Sequence, residues 1–109
     1  MKVNELKFDG LELLQPAPDT IELTGGYTSD LLSDVMANMQ EGTALITIQA
    51  HKNTVAVAAL TGASGIIFCS GRRVEQDVRE AAAKENIALF VSSKNQYKTT
   101  VQLAKCLGE

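Results

Sequence analysis

The residues able to do chemistry gather behind two apolar runs. His51 and Lys52 follow "ALITIQA" (Ala44–Ala50), and Cys69, Ser70, Gly71, Arg72 and Arg73 follow "GIIF" (Gly65–Phe68). Three kinds of chemistry are open to them. A thiol next to a helix start and two arginines can ionise readily, although a cysteine closing a buried strand behaves as a small hydrophobe. His51 is the single histidine, and no acidic residue lies near it in sequence to orient it as a general base. The third possibility is anion binding. No Asp or Glu occurs from Gly42 to Val74, while Lys52, Arg72 and Arg73 do. Such a segment either raises a local positive potential or is mostly core, which excludes carboxylates. Cys69 and Cys106 form no CxxC pair and His51 has no clustered partner, so no metal site is expected.

These residues need elements to hold them. "LELLQP" (Leu11–Pro16) reads as a short strand before a proline turn, and "IELTGG" (Ile21–Gly26) as a strand ending on two glycines. Leu31, Leu32, Val35, Met36 and Met39 recur at helical spacing, with Ser29 or Asp30 as cap and Gly42 as stop. Ala44–Ala50 has the β-branched, apolar character of a strand covered on both faces. Asn53–Leu60 reads as a short helix capped by Asn53 or Thr54 and stopped at Gly62, and Gly65–Ser70 as another central strand. Arg72–Asn86 places Val74, Val78, Ala81 and Ala82 on one face of an amphipathic helix. Ile87–Ser93 returns to strand. "SKNQ" (Ser93–Gln96) fits a capping box, with Tyr97, Val101, Ala104, Cys106 and Leu107 lining a last helix ended by Gly108.

Strand and helix thus alternate four times from Ile21 onward. Right-handed crossovers turn that alternation into a three-layer α/β/α sandwich around a mainly parallel sheet of about four or five strands, in a single domain over residues 1–109. Ligands of such sheets sit beyond the carboxyl ends of the strands, facing helix N-termini. The candidate ligand-binding residues are therefore Gly25, Gly26, His51, Lys52, Ser70, Gly71 and Arg72. The alternative is that glycine, serine and asparagine there serve only as turns and caps.

Exclusions narrow the function. No GxxxxGK[ST] loop or GxSxG elbow is present, and "TGASG" (Thr61–Gly65) leaves a helix and enters a strand, the reverse of a dinucleotide loop. No cofactor is expected. A net charge of −3, few aromatics and no tryptophan argue against nucleic acid. No run approaches the roughly 20 apolar residues of a membrane span, and the first residues lack a signal-peptide pattern. The expected location is cytoplasmic.

"GGYTSDLLSDVMANMQEGTALITIQAHKNTVAVAAL" and "GIIFCSGRRVEQDVREAAAKENIALFVSS" together resemble the DRTGG domain, found beside CBS domains in regulated pyrophosphatases and similar to the N-terminal domain of HPr kinase/phosphorylase. The likeness runs from about Leu11 to Leu107. Ala50, His51 and Lys52 stand where that family usually has Gly-Asp-Arg, and Cys69, Ser70 and Gly71 where it usually has Thr-Gly-Gly. The resemblance implies a non-catalytic regulatory or protein-interaction module, homodimeric and accessory to a partner enzyme; similar stand-alone members are associated with iron-only hydrogenases. Two other readings stand beside it. One is a sensor of a small anionic ligand such as a nucleotide, and the other an enzyme using His51 or Cys69.

Overall fold

A computed structural model describes residues 1–109. The elements in chain order are β1 (Leu11–Gln15), β2 (Gly25–Thr28), α1 (Leu32–Asn38), β3 (Thr43–Thr47), α2 (Lys52–Leu60), β4 (Gly65–Phe68), α3 (Gln76–Lys84), β5 (Ala88–Ser92) and α4 (Gln96–Cys106), after a 3-10 turn at Val3–Glu5. The five strands lie in the order β1-β5-β4-β3-β2. β2 to β5 are parallel, and β1 adds an antiparallel edge against β5 with a register shift between Leu13 and Gln15. The mainly parallel α/β sandwich read from the alternation is the architecture observed.

Strands β2 to β5 sit side by side in sequence order. Right-handed crossovers then place α1, α2 and α3 on one face. Val35, Val55, Ala58, Val78 and Ala82 of those helices pack there against Leu45, Ile66, Phe68 and Leu89. The alternate strand residues Ala44, Ile46, Ile67, Ala88 and Phe90 face the other way. They meet Leu103 of α4 together with Val3, Leu6, Ala17 and Leu23 from the N-terminal segment. β3 and β4 are buried at every residue, which is why they are near-continuously apolar. No helix is long and apolar enough to cross a membrane.

Several boundaries differ from the sequence reading, each for a local reason. Ile21–Thr24 does not join the sheet: Val3 N–H donates to Ile21 O, and Leu23 N–H to Met1 O. The glycines therefore begin β2 rather than end a strand. α1 starts at Leu32 because Ser29 Oγ accepts the Leu31 N–H in a tight turn and Asp30 is engaged elsewhere. α2 begins at Lys52, with His51 in the cap position instead of Asn53 or Thr54, and the Thr54 hydroxyl donates to Gln49 O. α3 starts only at Gln76, since Ser70 and Gly71 both take left-handed backbone (φ 61° and 62°) and reverse the chain after β4. Asn95, not Ser93, caps α4 by accepting the Lys98 N–H. That helix buries Thr99 and Leu103, leaving Tyr97 77% exposed.

Candidate functional site

The carboxyl ends of β2 to β5 converge on one rim of the sheet, and the loops leaving them carry most of the candidate residues. His51 and Lys52 are exposed at the start of α2, and Ser70, Gly71 and Arg72 are exposed in the turn after β4. Gly25 and Gly26 are not with them. They pair with Thr43 and Ala44 at the opening of β3, on the opposite rim. A Cβ on Gly26 would stand 2.6 Å from Leu103 Cδ2, so this glycine lets α4 approach the sheet.

After β4 the chain turns to α3 on one face; after β5 it turns to α4 on the other. Diverging loops of this kind open the crevice in which α/β sheets hold ligands. Here the crevice is laced shut. Ser70 N–H donates to Lys94 O at 2.8 Å, Gly71 N–H to Ser92 O at 2.9 Å, and Arg72 N–H to Cys69 O at 3.3 Å. The hydroxyls of Ser92 and Thr99 pair at 2.8 Å, and Ser92 Oγ accepts the Lys94 N–H. The Ser70, Gly71 and Arg72 amides are therefore already committed.

Asp30 ties the same rim together. Its Oδ1 accepts from Thr47 Oγ1 at 2.8 Å, Ile48 N–H at 2.9 Å and Gln96 Nε2 at 3.1 Å, joining the β2–α1 loop, the end of β3 and the start of α4. Partial burial raises the carboxyl, but Ile48, Thr47, Gln96 and the nearby Arg72 charge together hold it below the usual carboxylate value. The sequence pattern offers Asp30 only as a candidate cap for α1. Nothing local signals this role, because the partners lie 17, 18 and 66 residues away in sequence. A few residues on, Tyr27 Oη donates to Asp34 Oδ2 at 2.8 Å, which raises the phenol and lowers the carboxyl.

Cys69 has no exposed surface, and burial pushes its thiol up. Desolvation, helped by the nearby Asp30 charge, outweighs the hydrogen bonds with Thr99 and Thr47 that would lower it, so the thiol is neither exposed nor activated. His51 and Lys52 line a hollow of about 380 Å³ with Asn53, and the Lys52 and Asn53 N–H groups donate to no backbone carbonyl. Glu75 and Asp77 line the same hollow and offset its positive charge. A larger groove, about 510 Å³, lies on the opposite rim and carries Glu22, Glu41 and Glu85. No three acidic, histidine or cysteine side chains converge to hold a metal ion.

Comparison with known proteins adds a family and a fold. The model of the DRTGG domain matches residues 28–106. The fold is similar to the crystal structure of the CBS and DRTGG domains of the regulatory region of Clostridium perfringens pyrophosphatase, complexed with its activator diadenosine tetraphosphate. The TM-score is 0.68 at 14% identity, over 85% of this chain and 41% of that one. The chain thus spans less than half the length of that regulatory region. Among curated proteins nothing matches.

Proposed function

The chain belongs to the DRTGG domain family, and we propose on that footing that it is a non-catalytic regulatory or interaction module, homodimeric and accessory to a partner enzyme. The observation that carries this reading is the laced rim. Where an α/β enzyme would present reactive groups, Ser70, Gly71, Ser92 and Asp30 spend their hydrogen bonds on one another's loops. The similar pyrophosphatase region is itself regulatory, which supports the same role here. The reading takes residues 1–109 as one cytoplasmic domain; Cys69 and Cys106 are both unpaired, as suits a reducing compartment. An iron-only hydrogenase system is the partner that the resemblance suggests. The test is co-purification from the native host followed by assay of the captured enzyme. Turnover should change when the purified module is added, and unchanged turnover would count against regulation.

A second reading rests on the His51–Lys52–Asn53 corner, which lines a hollow and holds one lysine and two amides that donate to no backbone carbonyl. In it the module senses a small anionic ligand, and diadenosine tetraphosphate, the activator of the similar region, is the first probe. A ligand at about 100 times its dissociation constant adds roughly 2.7 kcal/mol of apparent stability. Lys52→Ala should remove that thermal shift if the corner is the site. Arg72, whose charge acts on Asp30 instead, should matter less.

A further inference from the structure

The two edges of the sheet are guarded very differently. β1 carries Glu12, a register shift between Leu13 and Gln15, and prolines at 16 and 18 immediately after it. Charge, irregularity and proline are the usual protection against pairing with another strand. β2, the opposite edge, is "GGYT" and has none of these. Ser29 N–H donates inward to Ile46 O, so strand alternation turns the N–H and C=O groups of Gly26 and Thr28 outward. Both residues are exposed.

The helix beside this edge is also unfinished. Thr28 Oγ1 and Thr100 Oγ1 stand 2.7 Å apart, which fixes the side of α4 that borders β2. Tyr97, Thr100 and Ala104 share that stripe by helical spacing. Tyr97 and Ala104 belong to the set that the sequence pattern assigns to a buried face. In the structure the buried residues are Thr99 and Leu103, while Tyr97 is 77% exposed and Thr100 and Ala104 are half-buried. An uncharged helix stripe patterned for burial therefore lies open along an uncharged, unguarded strand.

We propose that the occupant of this surface is a second copy of the chain, docked by antiparallel β2–β2 pairing about a two-fold axis perpendicular to the sheet, with the Tyr97–Thr100–Ala104 stripes packed across the same axis. The proposal deepens the homodimer reading and rests on it. Antiparallel pairing across such an axis is self-complementary, since each outward N–H meets an outward C=O. Charge does not oppose a like partner. Neither Gly25–Thr28 nor Tyr97, Thr100 and Ala104 carries a charged side chain, so the paired strands set no like charges opposite one another. The lysines nearest the stripe, Lys94 and Lys98, line the surface beside Tyr97. The same operation at β1 would bring the Glu12 carboxylates of both copies to one seam. Strand pairing over four residues is a small interface by itself, and the exposed Tyr97 supplies the apolar anchor it needs.

Sedimentation velocity over a concentration series, combined with hydrogen exchange, tests this. The expected result is a dimer mass for the wild type, with the Gly26 and Thr28 amides exchanging at least about tenfold more slowly in the concentrated sample than in the dilute one. Thr28→Pro, which removes an outward donor, and Tyr97→Glu, which sets two carboxylates across the axis, should both sediment as monomers. Should Thr28→Pro fail to fold, Tyr97→Glu decides alone, because its side chain is exposed. A wild type that is monomeric at every concentration overturns the homodimer reading and this surface with it. A dimer that survives Tyr97→Glu, or whose Gly26 and Thr28 amides exchange no more slowly than in the monomer, overturns the surface and leaves the homodimer standing.

Discussion

An ionised carboxylate is an acceptor with room for several donors, and Asp30 takes three, two from the end of β3 and one from the start of α4. Asp30→Ala would leave the Ile48 N–H and Thr47 hydroxyl without their acceptor, at a cost of about 1–3 kcal/mol. Chemical denaturation at neutral pH should show it. The pH dependence has a definite sign. Folding lowers this carboxyl, so its contribution is fully present above the unfolded value of about 3.9 and is lost as pH falls through the lower folded value. The stability gap between wild type and Asp30→Ala should therefore narrow as the solution is acidified below that unfolded value. A gap constant with pH would assign the loss to packing instead. The two thiols separate as cleanly. Cys106 is exposed and should react with a thiol reagent in the native state, whereas Cys69, buried and raised, should react only on unfolding. Two fast thiols would contradict the buried strand end.

At the scale of elements, the existence and order of strands and helices could be read from sequence because burial on two faces leaves an apolar run and burial on one leaves a stripe. Boundaries could not, because long-range partners set them. Ile21–Thr24 alternates like a strand yet pairs with Met1–Val3, about twenty residues away. The start of α3 moved from Arg72 to Gln76 because Ser70 and Gly71 lace to the β5–α4 loop, a contact no local pattern announces. Of the candidate site, His51, Lys52, Ser70, Gly71 and Arg72 share one rim, while Gly25 and Gly26 fall on the other once β2 begins at them. Capping shows the same limit. The Ser-x-x-Gln pattern nominates Ser93, but Asn95 accepts the Lys98 N–H. Asn95→Ala should cost about 1 kcal/mol, a melting shift of about 4–8 °C for a chain near this size. Ser93→Ala should fall within about 0.5 kcal/mol of wild type. The reverse order in paired thermal melts would return the cap to Ser93.

For the whole molecule, the family match and the folding unit have different boundaries. The match begins at residue 28, but one face of the sheet is closed partly by residues before it. Val3, Leu6, Ala17 and Leu23 are all at most 6% exposed and pack on Ile46, Ile67 and Phe90. Sequential β2-β3-β4-β5 winding makes this unavoidable, since it sends α1, α2 and α3 to one side and leaves α4 to cover the other with whatever precedes β2. Burying one large aliphatic side chain is worth about 1.5–3 kcal/mol. Losing three of that kind, the β1 edge strand and all of β2 but Thr28 approaches the entire stability of a small domain, about 5–15 kcal/mol. A fragment limited to residues 28–106 should therefore lose its cooperative thermal transition, whereas the chain of residues 1–109 keeps it. Circular dichroism melts of the two would decide. A sharp transition in the fragment would mean that α4 alone closes that face and that the N-terminal segment is free to serve a partner instead.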